Sequence, residues 1–105
     1  NFGHTIGHGI ESSGNMNELY HGECVALGML PMCSSHVRER LLAVLRKYDL
    51  PTEVTGDREA LLSYVLHDKK AYEGGVSIVF VREIGSFEFR KATVDDLRSY
   101  LEDLI

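Results

Sequence analysis

A chain of 105 residues with 44% hydrophobic content carries one domain's worth of core, enough for a modest and marginally stable unit. Its 16 acidic against 11 basic residues leave a formal charge of −5, with no Lys/Arg block and no basic stripe interleaved with aromatics, which excludes nucleic acid as an expected partner. No apolar run reaches about 18 residues and no charged-then-apolar leader is visible, so neither a membrane span nor a signal peptide is expected.

From about Thr5 to Ser13, Ile6, Gly7 and Ile10 recur at near-helical spacing, and Ser12-Ser13-Gly14-Asn15 is a stop signal. His21 then precedes Val25, Ala26, Met29 and Leu30, a second helix of about three turns ended by Pro31. Val37, Leu41, Leu42, Val44, Leu45 and Tyr48 mark a third, amphipathic helix capped by Ser34 or Ser35 and finished before Leu50-Pro51. A fourth is predicted from about Asp57 to His67, with Leu61, Leu62, Val65 and Leu66 as its buried face.

The period then changes. Residues Val76 to Val81 are β-branched and aromatic, and Phe87-Glu88-Phe89-Arg90 alternates beyond Ile84-Gly85-Ser86, which predicts a hairpin. A last helix starts at Thr93, with Asp95 and Asp96 in its first turn and Leu97, Tyr100, Leu101 and Leu104 on its apolar face. The expected fold class is mainly α, a helical domain decorated by one small β-hairpin. Cys24 and Cys33 lie in no CxxC and are too few for a disulfide framework, so both read as small buried apolar residues in a reducing compartment.

The chemistry crowds one end, in NFGHTIGHGIESSGNMNELYHGE. His4 and His8 are a helical turn apart on one face, close enough to share a metal or a substrate. His21 lies beyond a Gly/Asn-rich turn that folds the second helix back on the first, which supplies a third imidazole. Three protein ligands with an open position are the arrangement of a catalytic zinc. Gly3, Gly7, Gly9 and Gly22 keep backbone close to these side chains, whereas His36 sits at the polar start of a helix and reads as solvated. Asp68-Lys69-Lys70 closes the fourth helix. Two lysines there complement the helix dipole, and the loop that follows also suits them to an anion such as phosphate.

Three stretches in order, NFGHTIGHGIE, YHGECVALGM and HDKKAYEGGVSIVFVREIG, resemble the C-terminal domain of the 3-dehydroquinate synthase family over nearly the whole chain. The resemblance implies a cytoplasmic, usually homodimeric enzyme of the shikimate pathway, a lyase of aromatic amino acid biosynthesis dependent on NAD and on zinc or cobalt. Its N-terminal Rossmann-like domain binds NAD, and residues 1–105 correspond to the helical metal- and substrate-binding domain alone. The metal then falls to His4 and His21, with a third ligand, a glutamate, in the first domain. His8 becomes the proton-handling group, which differs from the ligand role its spacing suggests. Asn1 and one of Lys69 and Lys70, with Lys70 favoured, are implied to contact the substrate and its phosphate; no cofactor-binding residue is implied in this stretch.

The implied reaction converts 3-deoxy-arabino-heptulosonate 7-phosphate into 3-dehydroquinate and phosphate. NAD carries the transient oxidation and reduction, and the metal acts as Lewis acid at the oxidised hydroxyl. Gly9 stands where the family commonly has alanine, and Leu30 to Ser35 is shorter than usual there. The sequence begins at Asn1 without Met, inside its most functional stretch, as though cut from something longer. Weak zinc affinity and no catalysis are expected of the polypeptide by itself. Two rivals stand beside this reading: another sugar-phosphate cyclase or metal-dependent polyol dehydrogenase of the same superfamily, and an independent metal-binding or helical interaction module.

Overall fold

A computed structural model describes residues 2–13, 19–69 and 75–104, apart from the side chains of Asp68 and Lys69. Helix α1 (His4–Ser13) buries Thr5, Ile6, Gly7, Gly9 and Ile10. It starts from Gly3, whose carbonyl accepts the Gly7 N–H at 2.8 Å and whose φ of +79° lies in the left-handed region open to glycine. Helix α2 (His21–Met29) opens where Glu23 Oε1 accepts the Tyr20 N–H at 2.8 Å, a carboxylate in the first turn reaching back over the helix start. Pro31 follows within a 3₁₀ turn, Leu30–Met32, where its missing N–H leaves no hydrogen bond unmade. The Leu30 carbonyl freed by that break accepts from Arg38 Nε at 2.8 Å.

Helix α3 (Ser35–Lys47) begins after Ser34 as expected, but only Val37 and Leu45 of its apolar face are buried. Val44 is 49% exposed and lines an open groove with Val37 and Leu41, and Tyr48, just past the helix end, is 65% exposed. Helix α4 (Arg58–Lys69) starts one residue later and runs two residues further than its periodicity suggests. Asp57 caps it, with Oδ1 accepting the Glu59 N–H at 3.0 Å. Helix α5 (Val94–Glu102) has the reciprocal cap of Thr93 and Asp96, with hydrogen bonds of 3.1 and 2.9 Å.

The hairpin of β1 (Val76–Phe80) and β2 (Glu88–Ala92) is antiparallel, pairing Val76 with Ala92 and Phe80 with Glu88. It is more than a decoration. Val76, Ile78 and Ala92 enter the core beside Leu97 and Leu101 of α5, and Cys33 forms a parallel bridge to Val81 through hydrogen bonds of 3.0 Å on either side. The second strand also begins later than the alternation indicates, because residues Val81 to Phe87 are used in that bridge and the turn. Its phenylalanine side faces outward: Phe89 is 75% exposed, while Arg90 on the other face stacks 3.6 Å from the Phe80 ring centroid.

One core holds the helices and hairpin together, from Ile6 and Ile10 through Leu27, Leu61, Leu62 and Val65 to Leu97 and Leu101. Within it α1 lies between α2 and α4 at backbone range. A Cβ on Gly28 would meet the Gly3 carbonyl oxygen and, at 2.6 Å, the Gly7 nitrogen; one on Gly9 would meet Val65 Cγ2. Gly9 is thus a packing requirement in this chain, because the space an alanine methyl needs is filled by Val65. Cys24 and Cys33 are free and buried, as expected of small apolar residues.

Candidate metal centre

The close approach of α1 and α2 determines where the histidines go. His4 and His8 occupy successive turns of α1 on the side next to the start of α2, and His21 is the first residue of α2. Their ring centroids form a nearly equilateral triangle, 5.4 Å from His4 to His8, 5.8 Å from His4 to His21 and 5.7 Å from His8 to His21. One nitrogen from each ring lies within 4.8 Å of the others, and among the described residues this is the cluster of three or more donors suited to a metal ion. His4 and His8 are half-buried and His21 is exposed, so the triangle has a floor and an open side.

The donor set fits a divalent cation. Neutral imidazoles suit zinc and cobalt, and a tetrahedral site with bonds of about 2.0–2.1 Å separates its nitrogens by about 3.4 Å. The three donor atoms, all within 4.8 Å of one another, would draw in by at most about 1.4 Å to reach that spacing.

Hydrogen bonds distinguish the rings. His4 Nδ1 lies 3.2 Å from the Phe2 carbonyl oxygen and His21 Nδ1 lies 3.0 Å from Glu11 Oε1. A carbonyl and a carboxylate only accept, so each neutral ring carries its proton on Nδ1 and keeps the Nε2 lone pair. Among the described residues, none hydrogen-bonds either nitrogen of His8 to select its tautomer. Cys24, buried on α2, has its thiol pushed above the ordinary value by burial and then by the Glu11 and Glu23 carboxylates.

Glu11 is the residue the sequence reading missed. The signal was there, since positions 4, 8 and 11 share a helical face, but its neighbour across the helix pair became visible only with the fold. Glu23 of the HGE stretch turns out to cap α2 and thereby to place His21 at its start. His36 is at the polar start of α3, 3.0 Å from Glu83 and exposed. Asn1 and Lys70 lie outside the described residues. Lys69 ends α4 and its side chain is likewise outside them. The Gly14-Asn15 bend falls outside as well.

Comparison with known proteins gives the family and the fold. The family described as 3-dehydroquinate synthase C-terminal matches residues 1–71. The 3-dehydroquinate synthase of Streptococcus sanguinis (strain SK36) is 32% identical over 112 aligned positions, which take in 97% of this chain and 32% of that protein. Those of Lactococcus lactis subsp. cremoris (strain MG1363) and Dictyoglomus turgidum are 35% and 39% identical, over 97% and 84% of this chain. The chain spans about a third of the length of these curated relatives. A crystal structure of 2-deoxy-scyllo-inosose synthase complexed with carbaglucose-6-phosphate, NAD+ and Co2+ aligns at a TM-score of 0.78 and 20% identity, covering 99% of this chain and 34% of that one, which shows a common fold. Among the described residues, no helix is long and apolar enough to cross a membrane.

Proposed function

This chain belongs to the 3-dehydroquinate synthase C-terminal family, and on that premise we propose that it is the metal- and substrate-holding part of a longer enzyme forming 3-dehydroquinate and phosphate from 3-deoxy-arabino-heptulosonate 7-phosphate. The observation that carries the proposal is the convergence of three imidazoles, two from one helix and one from the start of the next. A cation and a phosphorylated cyclic ligand accompany the structurally similar synthase, which supports the same classes of partner here.

In this reading His4 and His21 hold the metal, since a backbone carbonyl and a carboxylate already orient both rings with Nε2 free to ligate. A divalent cation bound there supplies Lewis-acid polarisation of a substrate hydroxyl. His8, whose ring lies 5.4 Å from that of His4, takes up or returns the proton of that hydroxyl. The open side of the triangle admits the substrate, and Asn1, Lys69 and Lys70 are its candidate phosphate contacts, with lysine acting as a compact point charge. The residues described here do not fit NAD. Among them the sheet is a two-stranded antiparallel hairpin, without the parallel βαβ unit and glycine-rich turn that cradle a pyrophosphate, and NAD is therefore assigned to another part of the longer protein. That protein is proposed to be a cytoplasmic homodimer.

Titrating the 105-residue chain with Co2+ and following its visible absorption tests the site. The expected result is one weakly bound ion, lost in His4→Ala and His21→Ala and reduced far less in His8→Ala. Equal losses at all three positions would return His8 to the ligand role its spacing suggested. Product analysis of the longer polypeptide carrying this chain tests the reaction, and formation of any carbocycle other than 3-dehydroquinate would reject the named substrate.

A further inference from the structure

Glu11 sits on the third turn of α1, on the same face as His4 and His8, and its carboxylate meets a ring that enters from another helix. Nothing in the local fold requires this contact. Glu11 and His21 are 46% and 53% exposed, so a solvated pair of this kind contributes little to stability. Its effect is on the ring. A carboxylate on Nδ1 selects one tautomer, stops rotation about the Cβ–Cγ bond, and makes Nε2 a better electron-pair donor. Helix α2 adds no comparable restraint, because His21 is its first residue and lacks a preceding turn to pack against. His4 differs, since its own backbone neighbour Phe2 does the same work.

We propose that Glu11 is the positioning residue of His21, holding its imidazole in the Nδ1–H form so that Nε2 faces the triangle of histidines. This rests on the reading of His4 and His21 as metal ligands, and it adds an α1 residue whose task is to orient a group on α2. Loss of the carboxylate therefore acts on metal affinity while leaving the fold alone.

The test uses the same chain in two states. Without metal, nitrogen NMR of the histidine rings at pH 8 reads the tautomer of His21: Nδ1–H in the wild type, a mixture in Glu11→Ala, and a largely retained Nδ1–H form in Glu11→Gln, whose amide oxygen still accepts. With metal, Glu11→Ala binds Co2+ about 10- to 100-fold more weakly, Glu11→Gln lies closer to wild type, and the melting temperature of both is unchanged. Glu83→Ala, which strips a similar carboxylate from His36 at 3.0 Å, leaves Co2+ affinity where it was. An unaltered His21 tautomer in Glu11→Ala overturns the proposal, and so does unaltered affinity. A drop in Glu11→Gln as deep as in Glu11→Ala also overturns it, since that marks a direct ligand. If His4→Ala and His21→Ala leave Co2+ binding intact, the metal reading itself fails, and the tautomer measurement alone then decides whether Glu11 orients the ring.

Discussion

Replacing Gly28 by alanine probes the contact on which the histidine triangle depends. The added Cβ would stand 2.6 Å from the Gly7 nitrogen and 3.1 Å from its Cα, and closer still to the Gly3 carbonyl oxygen, all backbone atoms with no rotamer to escape into. Restoring ordinary contact at about 3.5 Å moves α1 and α2 apart by about 1 Å, and a gap of that size forfeits a quarter to a half of each dispersion contact across the interface. Ile6, Ile10, Cys24 and Leu27 lose part of their packing at once. The cost belongs at the upper end of the overpacking range, about 3 kcal/mol, which at about 4 °C per kcal/mol lowers the melting temperature by about 12 °C. Urea denaturation with an unchanged m-value measures it, and Co2+ affinity should fall in parallel because His21 moves away from His4. Gly22 supplies the contrast: it is also helical in α2, yet a Cβ there meets nothing within 4 Å, so Gly22→Ala should stabilise by about 0.5 kcal/mol through helix propensity. If Gly28→Ala stays within about 0.5 kcal/mol of wild type, the close helix approach is not what holds the site.

Other outcomes follow from the same structure. Thr93→Ala removes the hydroxyl that accepts the Asp96 N–H at 3.1 Å and should cost about 1 kcal/mol by chemical denaturation, with Thr93→Ser restoring most of it. Ile6→Ala, at a fully buried position between the helices, should cost about 2–5 kcal/mol, and a smaller loss would mean that the α1 interface collapses onto the cavity. Burial raises both cysteine thiols, for Cys33 against an opposing pull from Arg38. The folded pKa values therefore exceed the unfolded value of about 8.5, and the stability this contributes is complete below that pH and declines as pH rises through the folded values. Alkylation at pH 8 should accordingly be slow in the native chain and fast in urea, and equal rates would refute the burial.

Local pattern determined much of this protein without help. The amphipathic spacing of α3, α4 and α5, the start at Thr93, the break at Pro31 and the change of period at Val76 are all short-range signals, each a matter of a few neighbouring residues and their backbone preferences. The same holds for the shared face of His4 and His8, since a helical turn is enough to align them. Tertiary structure decided the rest. Strand register set which face of the hairpin is buried, turning Phe89 outward and stacking Arg90 on Phe80, because pairing depends on a partner strand that alternation alone does not specify. The bridge from Cys33 to Val81 joined segments far apart in the chain. The meeting of Glu11 with His21 exists only because Gly3, Gly7 and Gly28 let two backbones touch, and that is a property of the space between helices, which no single helix encodes.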